Sequence, residues 1–103
     1  MIYQQEYPIT RKIHGRSMLE ITQTAQRLYA EHDRIEIQLR DSREHLEGIK
    51  PVIIDPRSIL SLCEQFPFKD NRLTIIVSGD FDEEVLKQCA DEMGKQFRGK
   101  KEE

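Results

Sequence analysis

The sequence has little that would tie it to a metal, a membrane or a nucleic acid. Only two of its 103 residues are cysteine, Cys63 and Cys89. They lie far apart, each within a helical pattern, and have neither C-x-x-C spacing nor the density of a secreted disulfide scaffold. Both read as free thiols. No apolar run approaches the roughly 20 residues that cross a bilayer. Sixteen basic residues against nineteen acidic ones, for a net charge of −3, leave no positive footprint for nucleic acid. The five glycines form no nucleotide-cradling loop. The histidines and cysteines lack metal-ligand spacing, so no metal and no cofactor is expected. The N-terminus has neither the basic flank nor the apolar core of a signal peptide, which makes the cytoplasm the expected compartment. Neither an internal repeat nor a linker breaks the chain.

What is present is a regular alternation of two periods. Tyr3, Tyr7 and Ile9 fall on one side of an extended run and Gln4, Glu6 and Pro8 on the other, so the spacing predicts a strand. Pro8 confines it to an edge or ends it there. From Ser17 the period lengthens: Met18, Ile21, Ala25, Leu28 and Tyr29 form the stripe of a helix of about fourteen residues. Ser17 and Glu20 have capping-box spacing at its start. Ile35, Ile37 and Leu39 alternate with Glu36, Gln38 and Arg40, a second strand.

The polar segment from Asp41 to Gly48 reads as a loop, and Lys50 to Ile54 as a third strand. Asp55 and Pro56 suit the cap and first turn of a short helix, placing Ser58 at its third position. Leu73, Ile75 and Val77 mark a fourth strand. A last helix carries Val85, Leu86, Cys89, Ala90, Met93 and Phe97, with Asp80 or Asp82 as its cap. The order is β-α-β-β-α-β-α. It fits an α/β fold of the α+β kind, an open-faced sandwich whose four-stranded antiparallel sheet is covered by helices on one face. Residues 1–98 form a single domain, and 99–103 a charged tail.

The segment Arg11–Lys12–Ile13–His14–Gly15–Arg16–Ser17 enters the first helix. Three cations and a histidine meet backbone N–H groups without intrahelical acceptors, an arrangement that favours an anion. Gly15, Arg16 and Ser17 are candidate phosphate contacts. His14 is a candidate nucleophile toward a phosphoryl group, with Arg16 as a planar donor beside the product. A solvated loop histidine and a simple anion seat remain the competing readings. His32 is explained by its place at a helix C-terminus. His45 lies among Glu44 and Glu47 without a second ligand. In the short helix Ser58 reads as an ordinary first-turn serine or a phosphorylation site. Ile59, Leu60 and Cys63 cannot all be buried by so short a helix, so Leu60 or Cys63 in particular could face a partner.

The element order and the two helix starts resemble the HPr family, the histidine-containing phosphocarriers of the bacterial sugar phosphotransferase system. The family's loop Gly-Ile-His-Ala-Arg-Pro compares with Lys12–Ile13–His14–Gly15–Arg16–Ser17, and its segment Lys-Ser-Ile-Met-Gly-Val with Arg57–Ser58–Ile59–Leu60–Ser61–Leu62. The resemblance implies phosphorylation of His14 through Nδ1, with Arg16 as its electrostatic partner. Phosphoenolpyruvate would supply the phosphoryl group by way of enzyme I, for passage to an enzyme IIA-type partner. It further implies Ser58 as the target of a regulatory serine kinase and Ile59, Leu60 and Cys63 as the docking helix. No cofactor enters such a scheme. Lys12 stands where the family has glycine and Ser17 where it has proline. The alternative is a divergent regulatory paralogue that acts by protein binding, with or without phosphorylation of Ser58.

Overall fold

A computed structural model describes residues 1–41, 52–64 and 72–99. The strands are β1 (Ile2–Pro8), β2 (Glu36–Asp41), β3 (Val52–Ile54) and β4 (Arg72–Ser78). The helices are α1 (Gly15–Glu31), α2 (Ile59–Glu64) and α3 (Glu83–Lys95). The sheet order is β1-β4-β2-β3, with every neighbouring pair antiparallel. The last strand thus slots between β1 and β2, and the expected α+β open sandwich is the observed one. β1 is an edge strand ending at Pro8, which has no N–H to offer a neighbour.

Period-two patterning decides which sheet face is covered. Ile37 and Leu39 of β2, Ile54 of β3, and Leu73, Ile75 and Val77 of β4 are buried. They pack with Met18, Ile21, Ala25 and Leu28 of α1 and with Leu86, Cys89, Ala90 and Met93 of α3 in one core. Ile9 and Phe97 join that core from just outside β1 and α3. Cys89 is a free, buried thiol whose ionisation burial pushes up. Tyr7 closes the core's edge against α3: its hydroxyl donates to Asp91 Oδ1 at 2.7 Å. Gly94 makes room for that ring, because a Cβ there would lie 2.5 Å from Tyr7 Cδ1.

Both front helix starts differ from the sequence expectation. α1 begins at Gly15 with His14 as its N-cap, so Ser17 is the third helical residue rather than the cap. Glu20 therefore completes no box with Ser17; its carboxylate pairs with Arg11 Nη2 at 3.3 Å. α2 begins at Ile59 with Ser58 before it, and Ser58 Oγ accepts from the Ser61 N–H at 3.1 Å. Asp55, expected as that cap, instead accepts from the Arg57 N–H at 3.0 Å in a turn one step earlier. In each case a polar residue three positions away competes for the cap, and sequence spacing cannot rank the two. At α3 the cap is Asp82.

Candidate functional site

The loop that leads into α1 is fastened on both sides. Ile9 and Ile13 are fully buried. Between them the Thr10 N–H donates to the Phe97 carbonyl at 2.9 Å, and Arg11 Nη1 to the Gln96 carbonyl at 3.2 Å. Gly99, assigned to the tail by sequence, donates its N–H to Thr10 Oγ1 at 2.8 Å. The C-terminal end of α3 therefore forms the floor on which this loop rests. Arg11 is spent on that floor and on Glu20, leaving Lys12 and Arg16 as the exposed cations on either side of His14.

His14 has extended backbone, φ −145° and ψ −170°, and its carbonyl accepts the first intrahelical bond from the Met18 N–H at 2.8 Å. The N–H groups of Gly15, Arg16 and Ser17 precede that bond and lack helical acceptors. The exposed imidazole stands in capping-box register with the Ser17 N–H but closes no cap hydrogen bond to it. A ring so placed faces partial positive charge from the helix end, which suits an anion carried on the ring. A Cβ at Gly15 would meet nothing within 4 Å, so the helix start is open above that residue.

Ser17 plays a part that its spacing with Glu20 concealed. Its side chain is fully buried. Ser17 Oγ accepts from the His14 N–H at 3.1 Å and donates to the Lys12 carbonyl at 3.2 Å. The hydroxyl is occupied inward, so Ser17 can face an anion only through its backbone N–H.

α2 packs against α1. Among its described side chains the buried one is Leu62, outside the expected stripe, while Ile59 is exposed and Leu60 is 70% exposed. The side chain of Cys63 and all of His45 lie outside the described residues. Sequence reasoning missed Leu19, an α1 residue 47% exposed. Its signal was available, because Leu19 falls off the buried stripe of its helix. It also missed the brace behind Ser58, where the Arg57 guanidinium lies 4.1 Å over the Tyr29 ring and grips Asp55. That grip draws the Asp55 carboxyl below its ordinary value, outweighing the upward push of burial. Tyr29 in turn accepts the Ile37 N–H at 2.7 Å, where β2 runs on beyond the short β3. His32 caps α1 as expected, with its N–H and ring Nδ1 both on the Leu28 carbonyl.

The four-stranded sheet of order β1-β4-β2-β3 with its three helices has counterparts among solved structures. The chain is similar to the phosphocarrier protein HPr from Bacillus anthracis strain Ames, with a TM-score of 0.59 and 21% identity, covering 87% of this chain and 94% of that one. The chain has the HPr fold. HPr-C-His from Thermoanaerobacter tengcongensis gives the same TM-score and identity over 92% of this chain and 94% of its own. No family model matches the sequence, and no curated protein does either. Within the HPr fold this chain keeps its architecture at an identity that leaves function to be argued from the site. No helix among the described residues is long and apolar enough to cross a membrane.

Proposed function

We propose that the chain is an HPr-like phosphocarrier that accepts a phosphoryl group on His14. The observation that carries this reading is the exposed His14 ring at the N-cap of α1, facing N–H groups that have no helical acceptor. A neutral imidazole protonated on Nε2 holds a lone pair on Nδ1. That lone pair attacks the phosphorus carried by enzyme I, which was charged from phosphoenolpyruvate. The N–P bond forms on His14 as the bond to enzyme I breaks, and the reverse step delivers the group to an enzyme IIA-type acceptor. The N–H groups of Gly15, Arg16 and Ser17 stabilise the phosphoryl oxygens, with Arg16 as a charged donor. Glu20, held by Arg11, is partly neutralised. No cofactor takes part, and such a carrier works in the cytoplasm.

Docking falls to exposed apolar side chains of two helices that pack together: Ile59 and Leu60 of α2 and Leu19 of α1. Cys63 belongs to the same helix. The test is incubation with phosphoenolpyruvate and enzyme I, followed by intact mass measurement. An acid-labile phosphoryl adduct that disappears in His14→Ala supports the carrier; its absence with several enzymes I rejects it.

A second reading, a regulatory paralogue acting by protein binding, has one observation in its favour. Ser58 is the cap of α2, half-buried beside exposed Ile59 and Leu60, so phosphorylation there by a serine kinase would put charge at the edge of the docking surface. Partner binding that survives His14→Ala but responds to Ser58 phosphorylation selects this reading.

A further inference from the structure

We infer that Ser17 is a positioning residue for His14, holding the imidazole over the helix end through the backbone of the loop. The inference rests on the reading of His14 as phosphoryl acceptor and adds a determinant of its reactivity. Three observations converge on Ser17. Its side chain is fully buried, although serine is a residue usually left in water. Its oxygen is engaged twice, accepting from the His14 N–H at 3.1 Å and donating to the Lys12 carbonyl at 3.2 Å. The two groups it joins flank Ile13, which is fully buried and fixes the middle of the same three-residue span.

The geometric consequence lies at His14. Its N–H is not part of the helix ladder, and its own φ is extended at −145°. The peptide before His14 is therefore held by the Ser17 hydroxyl, and that peptide together with the helix sets the direction of the Cα–Cβ bond. Ring rotation about two side-chain torsions then starts from a Cβ fixed at the helix end, in capping-box register with the Ser17 N–H. Without the hydroxyl, the Lys12 carbonyl and His14 N–H lose their shared partner. The span from Lys12 to His14 then gains freedom on the side where the ring is attached. Glu and Gln are the usual residues that reach back to a cap N–H. A serine can do so here only because it sits inward, which leaves no carboxylate beside the phosphoryl oxygens. Ser17 thus supplies the return bond of the box while keeping negative charge away from the seat.

The test uses the full chain and two variants, Ser17→Ala and Ser17→Thr. Amide hydrogen exchange is followed by NMR on the unphosphorylated protein, and initial transfer rates are measured with charged enzyme I. In Ser17→Ala the His14 amide exchanges about tenfold faster while β4 amides keep their protection, which separates positioning from loss of the fold. Transfer slows about tenfold in kcat with KM nearly unchanged, as expected for a misplaced reacting group. Ser17→Thr, which keeps the hydroxyl, recovers most of the rate. A Ser17→Ala protein whose His14 amide stays protected, or which transfers at the wild-type rate, overturns the inference. If the wild-type protein takes up no phosphoryl group, the carrier reading fails and His14 exchange alone decides whether Ser17 positions the ring.

Discussion

His14 and Ser17 divide the work of one helix end between them. The cap residue of α1 usually turns its side chain inward onto the N–H groups. Here the ring of the cap residue is exposed and stays in capping-box register with the Ser17 N–H without closing a cap hydrogen bond, while the third residue reaches back to the cap N–H. An exposed ring at the helix end is what the proposed transfer between two partner proteins would require. Gly15 between them is not demanded by its conformation or its neighbours, since its φ is not positive and a Cβ would meet open space. Gly15→Ala should therefore raise stability by about 0.5–1 kcal/mol, chiefly by restricting the unfolded chain, as read from urea unfolding. A destabilising effect would mean that the loop needs a backbone freedom that this structure does not display. His14 and Arg16 stand out in the sequence as candidates, because a histidine and cations precede an amphipathic stripe, and the structure places both among the exposed residues at the start of α1. The role of Ser17 was not, because burial of a single hydroxyl leaves no trace in spacing.

The elements show where sequence patterning is strong and where it gives out. Alternation in β2 and β4 and the stripes of α1 and α3 specified their faces, since each buried position repeats at the period its element demands. Caps were less legible. Asp55 and Ser58 are both good cap residues, and only the folded turn shows that the Asp55 carboxylate is claimed by Arg57. For the same reason α2 starts three residues later than expected; among its described side chains Leu62 is buried, and Leu60 is exposed as expected. With Ser58 as the cap, Ser58→Ala should cost about 1 kcal/mol in urea unfolding. That loss is expected even without any kinase, and a neutral result would argue against the cap. Six residues form only about a turn and a half of helix, so α2 depends on this cap and on Leu62 more than α1 depends on its own.

At the scale of the molecule, the loop after the first strand and the end of the last helix meet beside the candidate site. β1 pairs with β4, and the end of α3 holds the loop from Thr10 to Arg11. Tyr7 belongs to the same junction. Burial and the neighbouring Asp91 hold its phenol neutral well beyond the usual tyrosine range. In the unfolded chain Tyr7 releases its proton near the ordinary value of 10.0. The stabilisation is thus complete below that value and drains away as the pH climbs above it. Alkaline unfolding should show this loss, and Tyr7→Phe should flatten it while lowering stability at neutral pH by about 1.5 kcal/mol. An unchanged alkaline slope in Tyr7→Phe would place the sensitive group elsewhere.

The fold itself was legible because two periods alternate in an order that few architectures satisfy. The proposed chemistry at the helix start rests on His14 and the cations beside it. The decisive measurement is phosphorus and nitrogen NMR of the chain after incubation with phosphoenolpyruvate and enzyme I. A phosphocarrier gives a single phosphoramidate signal assigned to Nδ1 of His14; no signal, or one on any other residue, contradicts the assignment.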